Sequence, residues 1–264
     1  MKKQQLVIIL ALAATAFTLS LQAKPIKKSK GEVYQLSVYH FKNNEQLALT
    51  DLYLKNSYLP ALHKMGFEKI GVFATIGNDT AIDKKLYVLV ALKSMQQLEM
   101  LAINIAADDI IKQDATGYTK AAFDKPAYER IETIILKSFE KMPMLQTPQL
   151  AAPLEDRVYE LRSYEASTDA LYRTKIKMFN AGGEVDLFKR LQFNAVFYAE
   201  VLAGSKMPNL MYMTTFNNKA ERDAHWKIFS ADAEWKTLSA LPEYQHTVSK
   251  ADIFFLHPTT YSDY

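Results

Sequence analysis

The sequence predicts an α+β fold made of one β-α-β-β-α-β unit that is used twice. Three observations support this prediction. Two segments recur at nearly one spacing, both halves show the same order of strand-like and helix-like patterns, and a proline-containing stretch separates the halves. This order of elements is that of a ferredoxin-like unit, in which an antiparallel sheet carries both helices on one face.

The repeat is visible in two pairs of strand-like segments. Residues 33–39 (VYQLSVY) correspond to residues 158–164 (VYELRSY) at a spacing of 125. Residues 86–92 (LYVLVAL) correspond to residues 210–216 (LMYMTTF) at a spacing of 124. Two matches in the same order at almost the same spacing indicate an internal duplication.

Hydrophobic periodicity predicts four strands and two helical regions in each half. We expect Gly182-Gly183 to interrupt the second long helix, and residues 107–127 are an additional segment of the first half. The predicted elements, in chain order, are a strand (33–41; 157–164), a long helix (44–65; 167–190), a second strand (67–76; 192–203), a third strand (84–92; 209–216), a second helix (94–106; 218–229) and a last strand (128–139; 245–256).

The N-terminal residues 1–23 are predicted to be a signal peptide. Two lysines precede an apolar run that ends at Leu21, and Ala23 supplies a small residue at the expected cleavage site. The run is shorter than the roughly 20 residues that span a bilayer, and a basic stretch follows it. We therefore expect an exported, periplasmic protein that is not membrane-bound after cleavage, with an uncleaved anchor as the alternative.

The rest of the chain divides into a first unit (24–145) and a second unit (146–264). The linker between them is placed at 142–153, where three prolines favour extended backbone.

Charge and cysteine content exclude several classes of function. Loss of the signal peptide lowers the formal net charge from +3 to about +1, which gives no field for nucleic acid or an anionic membrane. The absence of cysteine excludes disulfides, thiol catalysis and thiolate metal sites. None of the five histidines has the helical spacing of metal ligands, and no metal site is predicted.

Side-chain alternation along the strands suggests where a ligand could bind. Alternate residues of 193–201 form an apolar row suited to the helices, which leaves a polar and aromatic row on the face without helices. If the helix-free faces of the two units pack together, they enclose a cavity between the sheets. The candidate pocket residues are Glu160, Arg162, Tyr164, Asn194, Tyr198, Glu200, Arg222 and Trp235.

Several segments resemble the NIPSNAP family. Residues 158–164 are similar to its opening strand, roughly Y-E-L-R-x-Y. Residues 219–226 (KAERDAHW) are similar to its second helix, with the pattern A-E-R-x-x-x-W, and residues 231–236 resemble its D-P-E-W element, with Ala233 in place of proline. In the first half, residues 59–67 (LPALHKMGF) resemble a helix end of the family.

The motifs are strongest in the second half, because the first half has Gln35 and Ser37 where Glu160 and Arg162 stand. The resemblance implies a dimeric α/β-barrel, here formed by both units of one chain. It implies no particular reaction.

The single residues allow more than one interpretation. Arg162 could bind a carboxylate or phosphate with paired donors, or it could form an internal ion pair with Glu160 or Glu200. Helical spacing places Trp226 and Phe229 in the core with Arg222 across them. Trp235 is interpreted as the anchor of a short helix at the barrel rim, or as a stacking surface for a ligand.

Three functions remain open from the sequence. The first is a small-molecule binding protein or enzyme with its ligand between the sheets. The second is a non-catalytic interaction or scaffolding protein, and a homodimer is open in either case. The third is a heme- or oxygen-dependent enzyme with His246 as a heme ligand, although no cofactor is predicted from the sequence itself.

Overall fold

Eight antiparallel strands close into one barrel in the part of the chain that the structure, a computed structural model, describes (residues 31–264). The predicted signal peptide, residues 1–23, lies outside the described residues. Around the barrel, each strand pairs with its neighbours in the order β1-β3-β2-β8-β5-β7-β6-β4. The strands are β1 (Val33–Phe41), β2 (Ile70–Thr75), β3 (Lys84–Leu92), β4 (Arg130–Ser138), β5 (Val158–Glu165), β6 (Ala195–Ala203), β7 (Asn209–Phe216) and β8 (Lys250–Pro258).

The barrel consists of two four-stranded sheets of identical topology. The first half contributes the order β4-β1-β3-β2 and the second half the order β6-β7-β5-β8. The two sheets join at their edges, where β2 pairs with β8 and β4 pairs with β6. Closure removes the free strand edges that each unit would expose alone. The predicted fold class, two ferredoxin-like units in one barrel, is confirmed.

The helices cover the outside of the barrel and begin at polar caps. Ser94 and Asn218, 124 residues apart, each accept a hydrogen bond from a backbone N–H in the first turn of the second helix of their unit. Asn43 and Thr168 cap the first helices in the same way. The helices are α1 (Asn44–Tyr53), α2 (Leu59–Lys64), α3 (Met95–Ala107), α4 (Asp109–Lys112), α5 (Asp169–Asn180), α6 (Glu184–Arg190), α7 (Lys219–Ala231) and α8 (Ala233–Ala240).

Both long helices are interrupted. In the first unit, a π-helical turn at Leu54–Tyr58 joins α1 to α2. In the second unit, α5 and α6 are separated at Gly182-Gly183, as predicted, because Gly183 adopts a left-handed φ of 92°. No helix among residues 31–264 is both long and apolar enough to cross a bilayer.

The last strand starts later than the sequence predicted. It begins at Lys250 rather than at residue 245, because a 3-10 turn at Pro242–Tyr244 is followed by a left-handed residue, His246, with φ 59°. This segment therefore extends the helical layer before the chain enters the barrel.

The barrel interior is filled by side chains of both halves. At mid-height Leu36, Leu89, Leu136 and Leu161 are completely buried. Towards one end the buried rings of Phe73 and Tyr159 lie 5.0 Å apart, and the C-terminal Tyr264 packs against both. A small eight-stranded barrel leaves just enough room for such side chains.

The predicted assignment of residues to the two sheet faces is wrong. In β5, Tyr159 and Leu161 face the barrel interior, so Glu160, Arg162 and Tyr164 lie under the helices. In β6 a bulge shifts the register between Ala195 and Phe197. Such a bulge moves the following side chains to the opposite face. As a result, Phe197, Ala199 and Val201 point into the barrel and Tyr198 faces the helices.

The exchange of the two sheet faces relative to the prediction has a simple physical cause. The closed interior excludes water on all sides and therefore takes the most apolar rows of both sheets. The helices cover the outer faces incompletely, so polar and charged residues can lie there at the walls of clefts.

Candidate functional site

A cleft of about 530 Å³ lies on the outer face of the second unit, between strands β5 and β7 and the helices α5, α6, α7 and α8. We call it the Arg162 cleft. It combines three basic groups, one acidic group, two tyrosines and two tryptophans. Its polar and aromatic lining consists of Arg162, Tyr164, Lys175, Glu184, Phe188, Tyr212, Arg222, Trp226, Phe229, Ser230 and Trp235.

Glu160 lies behind the wall of the cleft and connects the residues that form this wall. Its carboxylate is completely buried and accepts four hydrogen bonds. Arg162 Nε donates to one oxygen at 2.6 Å, and Arg222 Nη2 donates to the same oxygen at 2.9 Å. Arg222 Nε and Trp226 Nε1 donate to the other oxygen at 2.7 and 2.8 Å. Strand β5 is thereby fixed to helix α7 by one fully satisfied carboxylate.

The guanidinium of Arg162 lies over the ring of Trp226. Its central carbon is 3.6 Å from the ring centroid of Trp226, within the range of a cation–π contact. Its Nη1 donates to the hydroxyl of Tyr164 at 2.8 Å, and that hydroxyl is 2.8 Å from the hydroxyl of Tyr212. These contacts fix the orientation of a cation that is only 9% exposed.

The charges of this cluster do not cancel. Arg162 and Arg222 carry two positive charges against the single carboxylate of Glu160. The nearby Asp223 contacts Arg222 but is also paired with Lys219 at the surface. Burial by itself raises the pKa of Glu160, yet the hydrogen bond from Arg222 and the charge of Arg162 outweigh it, so this pKa is lowered. One positive charge remains in excess at the wall.

A buried ion pair lies at another part of the same cleft. Lys175 Nζ is 2.8 Å from Glu184 Oε2, and both side chains are less than a tenth exposed. Burial raises the pKa of Glu184, and the charge of Lys175 only partly offsets this effect. The pair is neutral as a whole, so it does not change the excess charge of the cleft.

The cleft brings together five of the eight residues predicted from sequence. Glu160, Arg162, Tyr164, Arg222 and Trp235 are in or directly behind it, although not between the sheets. Of the two ion pairs expected for Arg162, the one with Glu160 is present.

The other three predicted residues lie elsewhere. Asn194 and Tyr198 line a separate groove of about 680 Å³ beneath the linker, and Glu200 pairs with Lys137 of β4 at 3.1 Å. Glu200 is thus remote from the position predicted for it, because the bulge in β6 and the edge pairing with β4 set its surroundings.

Sequence reasoning missed four contributors. Lys175, Glu184 and Tyr212 were not singled out, and Trp226 was assigned to the core alone. Tyr212 could have been found, because the aligned repeats place it beside Arg162 on the neighbouring strand. Lys175 and Glu184 lie on two helices whose relative position the sequence pattern does not give.

The first unit has no counterpart of the charged cluster. At the matching positions of β1 stand Gln35 and Ser37, which hydrogen-bond to each other at 3.1 Å. At the positions of Arg222 and Trp226, 124 residues earlier, stand Leu98 and Ala102. The two halves therefore share the fold, but only the second half carries the charged cleft.

The cleft does not fit a heme held by a histidine. His246, the candidate ligand, lies in an exposed turn and is not part of the cleft wall. No other histidine of residues 31–264 lines the cleft either. Across that same range, no group of three or more His, Asp or Glu side chains is arranged to hold a metal ion.

These features define the class of protein: a dimeric α/β-barrel whose two ferredoxin-like units are fused in one chain, with one charged cleft in the second unit. The NIPSNAP family model matches residues 159–263, which confirms the resemblance predicted for the second half of the chain. No curated protein sequence matches the chain.

Solved structures share the whole architecture. A candidate monooxygenase from Lactobacillus acidophilus aligns with a TM-score of 0.54 and 11% identity, over 86% of this chain and 94% of that one. A second candidate monooxygenase, from Fusobacterium nucleatum, aligns with a TM-score of 0.53 and 9% identity, over 86% and 92%. A NIPSNAP-like domain protein from Burkholderia xenovorans covers 40% of this chain and 89% of its own, with 14% identity and a TM-score of 0.37. At such low sequence identity, the two alignments that cover most of this chain establish a shared fold and nothing further.

Proposed function

We propose that this chain is an exported small-molecule binding protein, and that the Arg162 cleft binds a small organic anion with a planar, aromatic body. The observation that carries the proposal is the excess of one guanidinium charge at the cleft wall, where two arginines share the single carboxylate of Glu160. A guanidinium held in a fixed plane is well suited to a carboxylate ligand.

The remaining lining supports the aromatic part of the ligand. Trp235 offers a ring surface, and the hydroxyl of Tyr164 offers a further polar contact beside Arg162. The volume of about 530 Å³ is within the range of small-molecule sites, roughly 300–1,000 Å³. The packed barrel interior argues against a large site at mid-height between the sheets.

Titration calorimetry with benzoate and its neutral analogue benzamide tests the proposal. We expect benzoate to bind at least tenfold more tightly than benzamide, because only benzoate compensates the excess charge. Arg162→Met should abolish this preference, and Arg162→Lys should recover part of it, since lysine keeps the charge but not the paired donors. Arg130→Gln is the matched control, since Arg130 is an exposed arginine of β4.

Two results would contradict the proposal. One is equal affinity for benzoate and benzamide. The other is a folded Arg162→Met protein, checked by circular dichroism, that binds benzoate as the wild type does. If Arg162→Met only lowers the melting temperature and no anion binds, the non-catalytic interaction protein becomes the better explanation.

Export is a separate part of the proposal, supported by the basic residues, the apolar run and Ala23 at the N-terminus. Expression of the full chain in a Gram-negative host, followed by fractionation and mass spectrometry, tests it. We expect a periplasmic product that starts near Lys24. A full-length product in the cytoplasmic or membrane fraction would refute export with cleavage.

A further inference from the structure

A second cavity lies inside the barrel, at the mouth where β1 and β5 end. Its volume is about 250 Å³, and we call it the mouth chamber. Val38 and Tyr87 of the first unit and Met211 and Phe254 of the second belong to its wall. Two residues further into the barrel from Val38, Leu36 is completely buried, so the chamber ends on the packed interior. It exists only because both halves close into one barrel.

One side of the chamber carries a buried polar pair. Ser163 and Asn209 are each 2% exposed, and Asn209 Nδ2 donates to Ser163 Oγ at 2.8 Å. Ser163 accepts in this bond, which leaves its hydroxyl hydrogen available to a ligand oxygen. The matching residue of the first unit is Val38, 125 positions earlier, so the polar pair is confined to the side of the second unit.

The two lysines at the rim are paired with aspartates, and the carboxylate of Glu132 accepts a hydrogen bond from Ser205. Because both lysines already have a carboxylate partner, an anionic ligand would have to break an existing ion pair. The rim contacts are Lys85 with Asp83 at 2.9 Å, Lys206 with Asp252 at 2.6 Å, and Ser205 with Glu132.

The turn between β6 and β7 covers part of the mouth. From this turn, Ser205 reaches Glu132 on β4 and Lys206 reaches Asp252 on β8, so the turn is held from both sides. Gly204 fits closely against the wall, since a Cβ there would be 3.3 Å from Val201 Cγ1. The turn therefore covers the chamber in part. Most of the chamber wall is apolar, and one side can form hydrogen bonds.

We propose that the mouth chamber binds a small, uncharged, largely apolar molecule that carries one hydroxyl group. A volume of about 250 Å³ corresponds to about eight water molecules at ~30 Å³ each, which suits a ligand of the size of phenol. Its ring contacts Met211 and Phe254, and its oxygen accepts the hydrogen of Ser163. This site is separate from the Arg162 cleft, which is on the other face of the same sheet.

Phenol is the probe for the test, by calorimetry on the whole protein. We expect millimolar binding that Ser163→Ala weakens about tenfold and that Val201→Phe, which fills the chamber, weakens more than tenfold. Ser37→Ala, a buried serine of the first unit outside the chamber, is the matched control and should change the affinity less than twofold. Arg162→Met should also retain phenol binding, which separates this site from the cleft.

A measurement on the unsubstituted protein tests the proposal without depending on whether the variants fold. With methyl-labelled methionine, the Met211 signal should shift on addition of phenol, whereas the signal of Met178, buried outside the chamber on α5, should not. An unmoved Met211 signal, a phenol affinity unaffected by Ser163→Ala, or loss of phenol binding in a folded Arg162→Met protein would each overturn the proposal.

Discussion

Replacing Glu160 by glutamine removes one buried charge and changes almost nothing else in shape. The carboxylate accepts two hydrogen bonds at each oxygen, from Arg162, Arg222 and Trp226. An amide has only one oxygen, so its NH₂ group must face two N–H donors. Two bonds to the carboxylate are lost at about 1.5–3 kcal/mol each. Since both guanidinium groups also lose their counter-charge, we expect a loss of about 3–5 kcal/mol in the free energy of unfolding.

Urea unfolding at neutral pH, followed by far-UV circular dichroism, measures this loss. Glu243→Gln is the control, because Glu243 pairs with Lys177 at an exposed position and should show no measurable change. The lowered pKa of Glu160 adds a pH dependence. Its stabilising effect is fully present above the ordinary pKa of 4.5 and is lost as the pH falls through the lower, folded-state value.

The difference between wild type and Glu160→Gln should therefore shrink in acid. A loss below about 1 kcal/mol at neutral pH, or a difference that grows as the pH falls, would show that the carboxylate does not stabilise the fold in the way inferred here.

Three further changes have expected outcomes that chemical denaturation can measure. Lys175→Met or Glu184→Leu alone should cost about 3–5 kcal/mol, whereas the double variant should approach wild-type stability; additive losses would contradict the buried pair. The pKa of Asp114 is about 2, because hydrogen bonds led by Thr116 outweigh the effect of burial. Asp114→Asn should therefore cost about 2 kcal/mol at neutral pH, a difference that should fade as the pH falls from about 4 towards 2. Phe229→Ala, which removes a ring buried in the core of the second unit, should cost about 3–5 kcal/mol, and a cost under about 1 kcal/mol would refute that packing.

The sequence predicted the elements best where they are buried and regular. The bounds of β1, β3 and β7 agree with the predicted runs, because these strands are mostly buried and recur at one spacing in the two halves. Prediction was poorer for β8, whose start depends on a 3-10 turn and a left-handed residue that carry no hydrophobic signal.

The candidate site was also predicted only in part. Glu160, Arg162 and Arg222 were predicted from the sequence as pocket residues, and they meet in one hydrogen-bonded cluster with Trp226, which had been assigned to the core. The location of Glu160 and Arg162 was predicted on the wrong side of the sheet, since strict alternation cannot show which face of a strand turns towards the helices. The single bulge at Val196 was sufficient to place Phe197 inside the barrel instead of under the helices.

By itself, the sequence determined that one unit is used twice and which elements each unit contains. It also showed that the charged motif belongs to the second copy, because periodicity, capping residues and repeated segments are local properties of the chain. The resemblance implied the barrel, but only the tertiary structure decided which rows of side chains fill its interior. That choice depends on how much apolar surface of both halves is removed from water at once, and it places the charged residues in a cleft beneath the helices.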